Sequence, residues 1–216
     1  NYPYPKFNKN YYESTDVIAT ISKVTSDIVR TVAPNVEEHY IPHAVDTNVF
    51  KRLKRTDPAI VNLTEGNPDL KGKFVCFWNN RNARRKQTGT LIYWFKEFLD
   101  IVGRDKAAMV MHTDMHDPHG QDLAEIITEL GVNNGEIQFS TDKVSPEHMA
   151  LMYNMSDLTI NIADAEGFGL STLESLACET PILVNMTGGL QEQVTDGDNW
   201  FGAGITPASK AVIGSQ

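Results

Sequence analysis

The chain predicts an α/β fold, a doubly wound parallel sheet, and three observations point to it. Short apolar runs alternate with segments of helical period from Phe74 onward. The spacing of that alternation implies parallel strands with helices on both faces. One apolar run, LTINIA, leads straight into a glycine-containing turn and then a helical pattern, in AEGFGLSTLESLA.

The elements follow in order. VIATIS (17–22) has strand character, KVTSDIVRTV reads as a short helix, and EEHYIPHAV reads as a strand. The polar stretch 51–73, KRLKRTDPAIVNLTEGNPDLKGK, has no clear period and predicts no element. FVCFWN (74–79) opens the regular series. A helix over 88–102 would put Leu91, Ile92, Phe95, Phe98, Leu99 and Val102 on one face. AAMVMHT (107–113) is a buried strand. The next helix carries Leu123, Ile126, Ile127 and Leu130 and stops at Gly131, the residue type that ends helices in a left-handed turn. EIQFS, a helix from Pro146 with Met149, Met152 and Tyr153, LTINIA, the helix after Gly169, and PILVNM complete the series.

Composition narrows the function. A chain of 216 residues can bury a sizeable core. No apolar stretch approaches the ~18 residues of a membrane span, and the amino terminus lacks the basic-then-apolar pattern of a signal peptide. A formal net charge of −9 argues against nucleic acid and anionic membranes as partners. An anionic ligand would therefore have to meet a local basic cluster. Cys76 and Cys178 sit in apolar surroundings and belong to no metal-spaced set. They read as small buried residues, and a reducing cytoplasm is the expected setting.

Two segments could carry chemistry. Glu166 and Glu174, seven residues between them, bracket the turn E-G-F-G-L-S-T-L-E. A strand, a glycine turn and a helix start converge backbone N–H groups on an anion, and carboxylates accept from sugar or ribose hydroxyls. Arg81, Arg84, Arg85 and Lys86 follow FVCFWN. With a strand order of 3-2-1-4-5-6, FVCFWN and LTINIA lie side by side, and the residues leaving them face one crevice. A diphosphate leaving group there would be neutralised by Arg and Lys without a metal. Each segment also has a plainer reading. The basic cluster could be a solvated loop, Ser171 and Glu174 could form a capping box, and Gly167 and Gly169 could only tighten the turn. The histidine-rich stretch HTDMHDPHGQD (His112, His116, His119, Asp114, Asp117) matches no compact zinc spacing and reads as a solvated loop.

EGFGLSTLE followed by ACETPILVNMTGGLQEQV resembles the E-x7-E signature of retaining glycosyltransferases of the GT-B fold, the large family four. IPHAVDTNVF resembles that family's connector between its two domains, with His43 and Ala44 where Asn and Gly are usual. Arg81 and Lys86 match its basic pair in spacing, although Asn80 stands where glycine is usual, Gln87 follows the lysine, and Ser140 replaces a common glycine. The resemblance runs from about Asp16 to Gln193.

That resemblance implies a Rossmann-like donor domain over 51–216, preceded in 1–50 by the end of an acceptor domain and the connector. The chain would then be part of a longer protein, and alone it would be inactive or weakly active. The implied substrate is a UDP-, GDP- or ADP-linked sugar, transferred with retention to an unknown glycan, lipid or protein acceptor. No metal or other cofactor is implied, and any membrane contact would be peripheral and outside this chain. Arg81 and Lys86 would hold the diphosphate, and Glu166 the sugar hydroxyls. The amides of Gly167, Phe168, Gly169 and Leu170 would face phosphate and sugar. Glu174 would accept from the ribose, with Phe139, Ser140 and Thr141 beside the base. Two rivals share the fold, a nucleotide-sugar epimerase and a non-catalytic nucleotide-binding module. A dehydrogenase is disfavoured because no G-x-G-x-x-G joins a strand to a helix.

Overall fold

The computed structural model describes residues 8–207. After a short helix α1 (Lys9–Glu13), a two-stranded parallel sheet pairs β1 (Val17–Thr20) with β2 (Glu37–Tyr40), and α2 (Lys23–Val32) connects them. Ser22 starts α2 by accepting the Thr25 N–H, and Ile28, Val29 and Val32 form its buried stripe. β2 is shorter than EEHYIPHAV predicts. Ile41 N–H still reaches the Thr20 carbonyl, but Pro42, next along, has no N–H to continue the ladder.

The polar stretch 51–73 contains a helix that its lack of period concealed, α3 (Pro58–Glu65). Asp57 accepts the Ala59 N–H and Pro58 occupies the first turn, while Ile60 is its one buried residue.

The main sheet has six parallel strands in the order β5-β4-β3-β6-β7-β8, the predicted order extended to its last strand. They are β3 (Phe74–Asn79), β4 (Ala107–His112), β5 (Ile137–Ser140), β6 (Leu158–Asn161), β7 (Ile182–Asn185) and β8 (Gly202–Ile205). Side chains alternate across this sheet. Cys76, Trp78, Met109 and Met111 join one core with residues of α4 (Thr88–Val102) and α5 (Leu123–Glu129). Val75, Phe77, Ala108 and Val110 join another with Ile60 of α3 and with Met152, Tyr153 and Met155 of α6 (Pro146–Met155). Helices therefore cover both faces. On α4 the buried face is narrower than predicted, because Phe98 and Val102 are exposed. α7 (Leu170–Ala177) follows β6, and α8 (Leu190–Val194) lies between β7 and β8.

α8 and β8 were not predicted. β8 reads GAGI, without an apolar run, and at Gly202 a Cβ would stand 2.4 Å from the Ile182 carbonyl oxygen. α8 joins the two sheets: its Glu192 accepts from Tyr40 Oη at 2.7 Å and from the Lys23 N–H at 3.0 Å. Burial first, and then this carboxylate, push the Tyr40 phenol up to about 12. Among the described residues no helix is long and apolar enough to cross a membrane.

Candidate functional site at the carboxyl edge of β3 and β6

β3 and β6 are neighbours, so the segments leaving their carboxyl ends meet. The joint is made by backbone and side chain together. The Asp164 N–H donates to the Arg85 carbonyl at 2.8 Å, and Arg85 Nη1 donates to the Ala165 carbonyl at 2.7 Å. Lys86 closes a 3-10 turn, Arg84–Lys86, and is 7% exposed at its side chain. Its ammonium donates to Glu166, whose side chain is 12% exposed, and to Asn80 Oδ1 at 2.6 Å. Burial draws the Lys86 pKa down, and the Glu166 carboxylate opposes that shift. Asn80, where a glycine would bring the backbone closer to a ligand, is thus a ligand of the lysine.

The E-G-F-G turn is built from behind. Gly169 has φ +92, a conformation that favours glycine, and starts α7 without a side-chain cap. Gln193 donates to the carbonyls of Phe168 and Gly169 at 2.6 and 3.0 Å. Gly188 lies so close that a Cβ would be 1.9 Å from the Glu166 carbonyl oxygen, and the Gly189 N–H donates to that same oxygen. His43 of the connector meets the buried Phe168 ring edge-on at 5.1 Å. Sequence reasoning missed Gly188, Gly189 and Gln193 as supports; T-G-G-L-Q-E-Q was visible only as part of the family resemblance.

Glu174 does not form the capping box. Gly169, not Ser171, is the residue before α7, and the Glu174 carboxylate instead accepts from Tyr153 Oη at 2.7 Å. Burial raises the Glu174 pKa, and that hydrogen bond holds the rise back.

Arg81 stands apart from Lys86 and Glu166. Its Nε and Nη2 bind Asp117 at 2.6 and 3.1 Å, and Nη2 meets His119 Nδ1 at 3.0 Å. The guanidinium, with the His119 N–H, holds the Asp117 carboxyl well below the usual carboxylate range. Asn82, buried, anchors this histidine-rich loop by donating to the Gln121 carbonyl at 2.7 Å and accepting its N–H at 3.3 Å. His112 faces Ser140 at 2.9 Å, and His116 faces Asp122 at 3.9 Å. Among the described residues no three His, Cys, Asp or Glu converge to hold a metal ion. Phe139 and Ser140 end β5 half-buried, and Thr141 is exposed beside them. Cys76 and Cys178 are free and buried.

Two hollows lie off this edge. One of about 230 Å³ is lined by Arg55, Leu70, Lys73, Val75 and Asp157 at the amino-terminal end of the sheet. The other, about 550 Å³, is a groove at Tyr93, Gln121 and Leu130 between α4 and α5.

Comparison with known proteins adds family and fold. The sequence pattern of glycosyl transferases group 1 matches residues 98–211. The alpha-monoglucosyldiacylglycerol synthase of Streptococcus pneumoniae is 24% identical over 195 residues, 90% of this chain and 42% of that protein. The sucrose-phosphate synthase of Thermosynechococcus elongatus superposes with a TM-score of 0.75 at 20% identity, over 94% of this chain and 48% of that one. Anabaena HepE in complex with UDP-glucose superposes with a TM-score of 0.74 at 19% identity, over 94% and 54%. The chain thus spans about half the length of these relatives.

Proposed function

The chain belongs to the glycosyl transferases group 1 family, and from that premise we propose that it is the donor-binding half of a retaining glycosyltransferase of family four. The observation that carries this reading is the Lys86–Glu166 pair, formed between the segments leaving β3 and β6 and backed by a glycine turn at the start of α7. An ammonium, turn amides that have no acceptor among the described residues, and a carboxylate at one sheet edge suit a sugar diphosphate: cation and amides for the phosphates, carboxylate for hydroxyls.

In this reading Glu166 accepts from the donor-sugar hydroxyls and Lys86 neutralises the diphosphate as its bond to the sugar breaks. Arg81 exchanges Asp117 for a phosphate oxygen. The amides of Gly167 to Leu170 face phosphate and sugar, Glu174 takes the ribose, and Phe139 to Thr141 border the base. No metal takes part, and the acceptor attacks on the face from which the diphosphate departs, which retains configuration. The UDP-glucose complex of HepE supports uracil as one candidate base. Transfer itself requires acceptor-side groups outside this chain.

Calorimetry with UDP, GDP and ADP in EDTA tests the reading. Binding of at least one is expected; binding of none would sink it.

A further inference from the structure

Glu174 is held by a relay that its assigned role does not require by itself. Asn79 closes β3, Tyr153 belongs to α6, and Glu174 lies in α7. Asn79 Nδ2 donates to Tyr153 Oη at 2.9 Å, and Tyr153 Oη donates to Glu174 Oε2 at 2.7 Å. The order is forced. An amide N–H₂ can only donate, so it takes an oxygen lone pair of the phenol and leaves the phenol's one hydrogen for the carboxylate.

The phenol is also fixed in place. Tyr153 is fully buried, with its ring edge-on to Phe77 at 5.1 Å and tilted against Phe50 at 6.2 Å. A phenylalanine would fill the same space, so packing alone does not call for the hydroxyl. The hydroxyl does two things at Glu174. It fixes one carboxylate oxygen, and it opposes the burial that favours the neutral acid. Among the described residues Glu174 Oε1 has no protein partner, and it is not sealed from solvent.

We propose that Tyr153, braced by Asn79, is a positioning residue for the ribose: it turns the Glu174 carboxylate so that Oε1 is presented to the vicinal hydroxyls of a bound nucleotide. This rests on the donor-site reading and names a specificity determinant within it. Ligands with a complete ribose are preferred over those lacking its hydroxyls because the carboxylate is oriented before they arrive.

Calorimetry on this chain tests it, using whichever of UDP, GDP or ADP binds most tightly and the 2′,3′-dideoxy form of the same nucleotide. The unaltered chain should prefer the complete ribose by about tenfold or more, as a charged acceptor for hydroxyls allows. Tyr153→Phe should cut that preference to about threefold and change the dideoxy affinity by less than about twofold. Glu174→Gln should reduce the preference similarly, and Tyr153→Phe added to it should cost nothing more. A Tyr153→Phe chain that keeps the full preference, or that loses affinity for both ligands alike, would overturn the assignment. If Tyr153→Phe does not fold, Asn79→Ser takes its place: a partial fall in preference is expected, and an unchanged one refutes the relay. Failure of the unaltered chain to bind any of the three nucleotides removes the donor-site reading and this inference with it. Binding without ribose preference leaves the diphosphate and sugar parts of the donor site standing and refutes this inference together with the ribose role given to Glu174.

Discussion

Lys86 and Arg81 leave the same strand five residues apart, yet the fold gives them opposite surroundings. Lys86 is enclosed, with a carboxylate and an amide oxygen on its ammonium. Arg81 is 63% exposed and paired with a carboxylate on a loop from a different strand. A buried charge must be paired, so the Lys86–Glu166 contact is part of the folded state and prepares the site before a ligand arrives. Asp117 is only 9% exposed at its side chain, but the guanidinium itself stands in water and can change partners where Lys86 cannot. Within the basic cluster Lys86 is thus a fixed cation and Arg81 an exchangeable one, a distinction that residue type does not reveal.

The sharpest way to break the contrast is to remove each cation. Lys86→Met should weaken nucleoside-diphosphate binding about a hundredfold and cost about 3 kcal/mol in urea unfolding, because Glu166 is left enclosed and unpaired. Arg81→Met should lower the urea midpoint clearly less, because Asp117 keeps the His119 N–H as a partner. Equal losses of stability would show that the two environments do not differ in the way described. Next in size is Glu166→Gln, which should weaken the nucleotide sugar about tenfold more than the nucleoside diphosphate, since only the former has sugar hydroxyls to lose. Equal losses for the two ligands would contradict the role given to Glu166.

A smaller effect sharpens the exchangeable half. Asp117→Asn releases Arg81 from a competing carboxylate and should raise diphosphate affinity about threefold at low salt, with the gain shrinking as salt is added. A fall in affinity would mean that Asp117 orients Arg81 for the ligand rather than competing with it. The smallest effect is on pH dependence. Burial raises the Glu174 pKa, whereas hydroxyl donors to its carboxylate favour the ionised form in the complex. Affinity should therefore be full above that raised pKa and decline as pH falls through it, and Glu174→Gln should flatten this part of the profile.

Much of the fold was legible because the strands from FVCFWN onward are apolar runs separated by helical periods, and a topological rule turned that pattern into the β3–β6 junction. That the segments carrying Lys86 and Glu166, eighty residues apart in sequence, meet at one edge followed from that rule. α3 stayed hidden because only Ile60 is buried, although D-P before an apolar pair was a start signal. β8 stayed hidden because close approach to Ile182 requires Gly202, which removes the apolar signature of a strand. The phenylalanine and valine expected inside α4, Phe98 and Val102, lie at the margin of its buried stripe and face outward. The partners of Glu174 and Arg81 were illegible for a different reason. Tyr153 and Asp117 are brought in from separate elements by packing, and local spacing instead suggested a capping box and a solvated loop.

Thermal unfolding in EDTA, with UDP-, GDP- and ADP-linked sugars in turn, tests the central claim most directly. At 100 times its dissociation constant a ligand of the native state adds about 2.7 kcal/mol of stability. One of these nucleotide sugars should raise the melting temperature of the unaltered chain and fail to raise that of Lys86→Met. If none does so, or if Lys86→Met responds as strongly as the unaltered chain, the edge between β3 and β6 is not the nucleotide-sugar site.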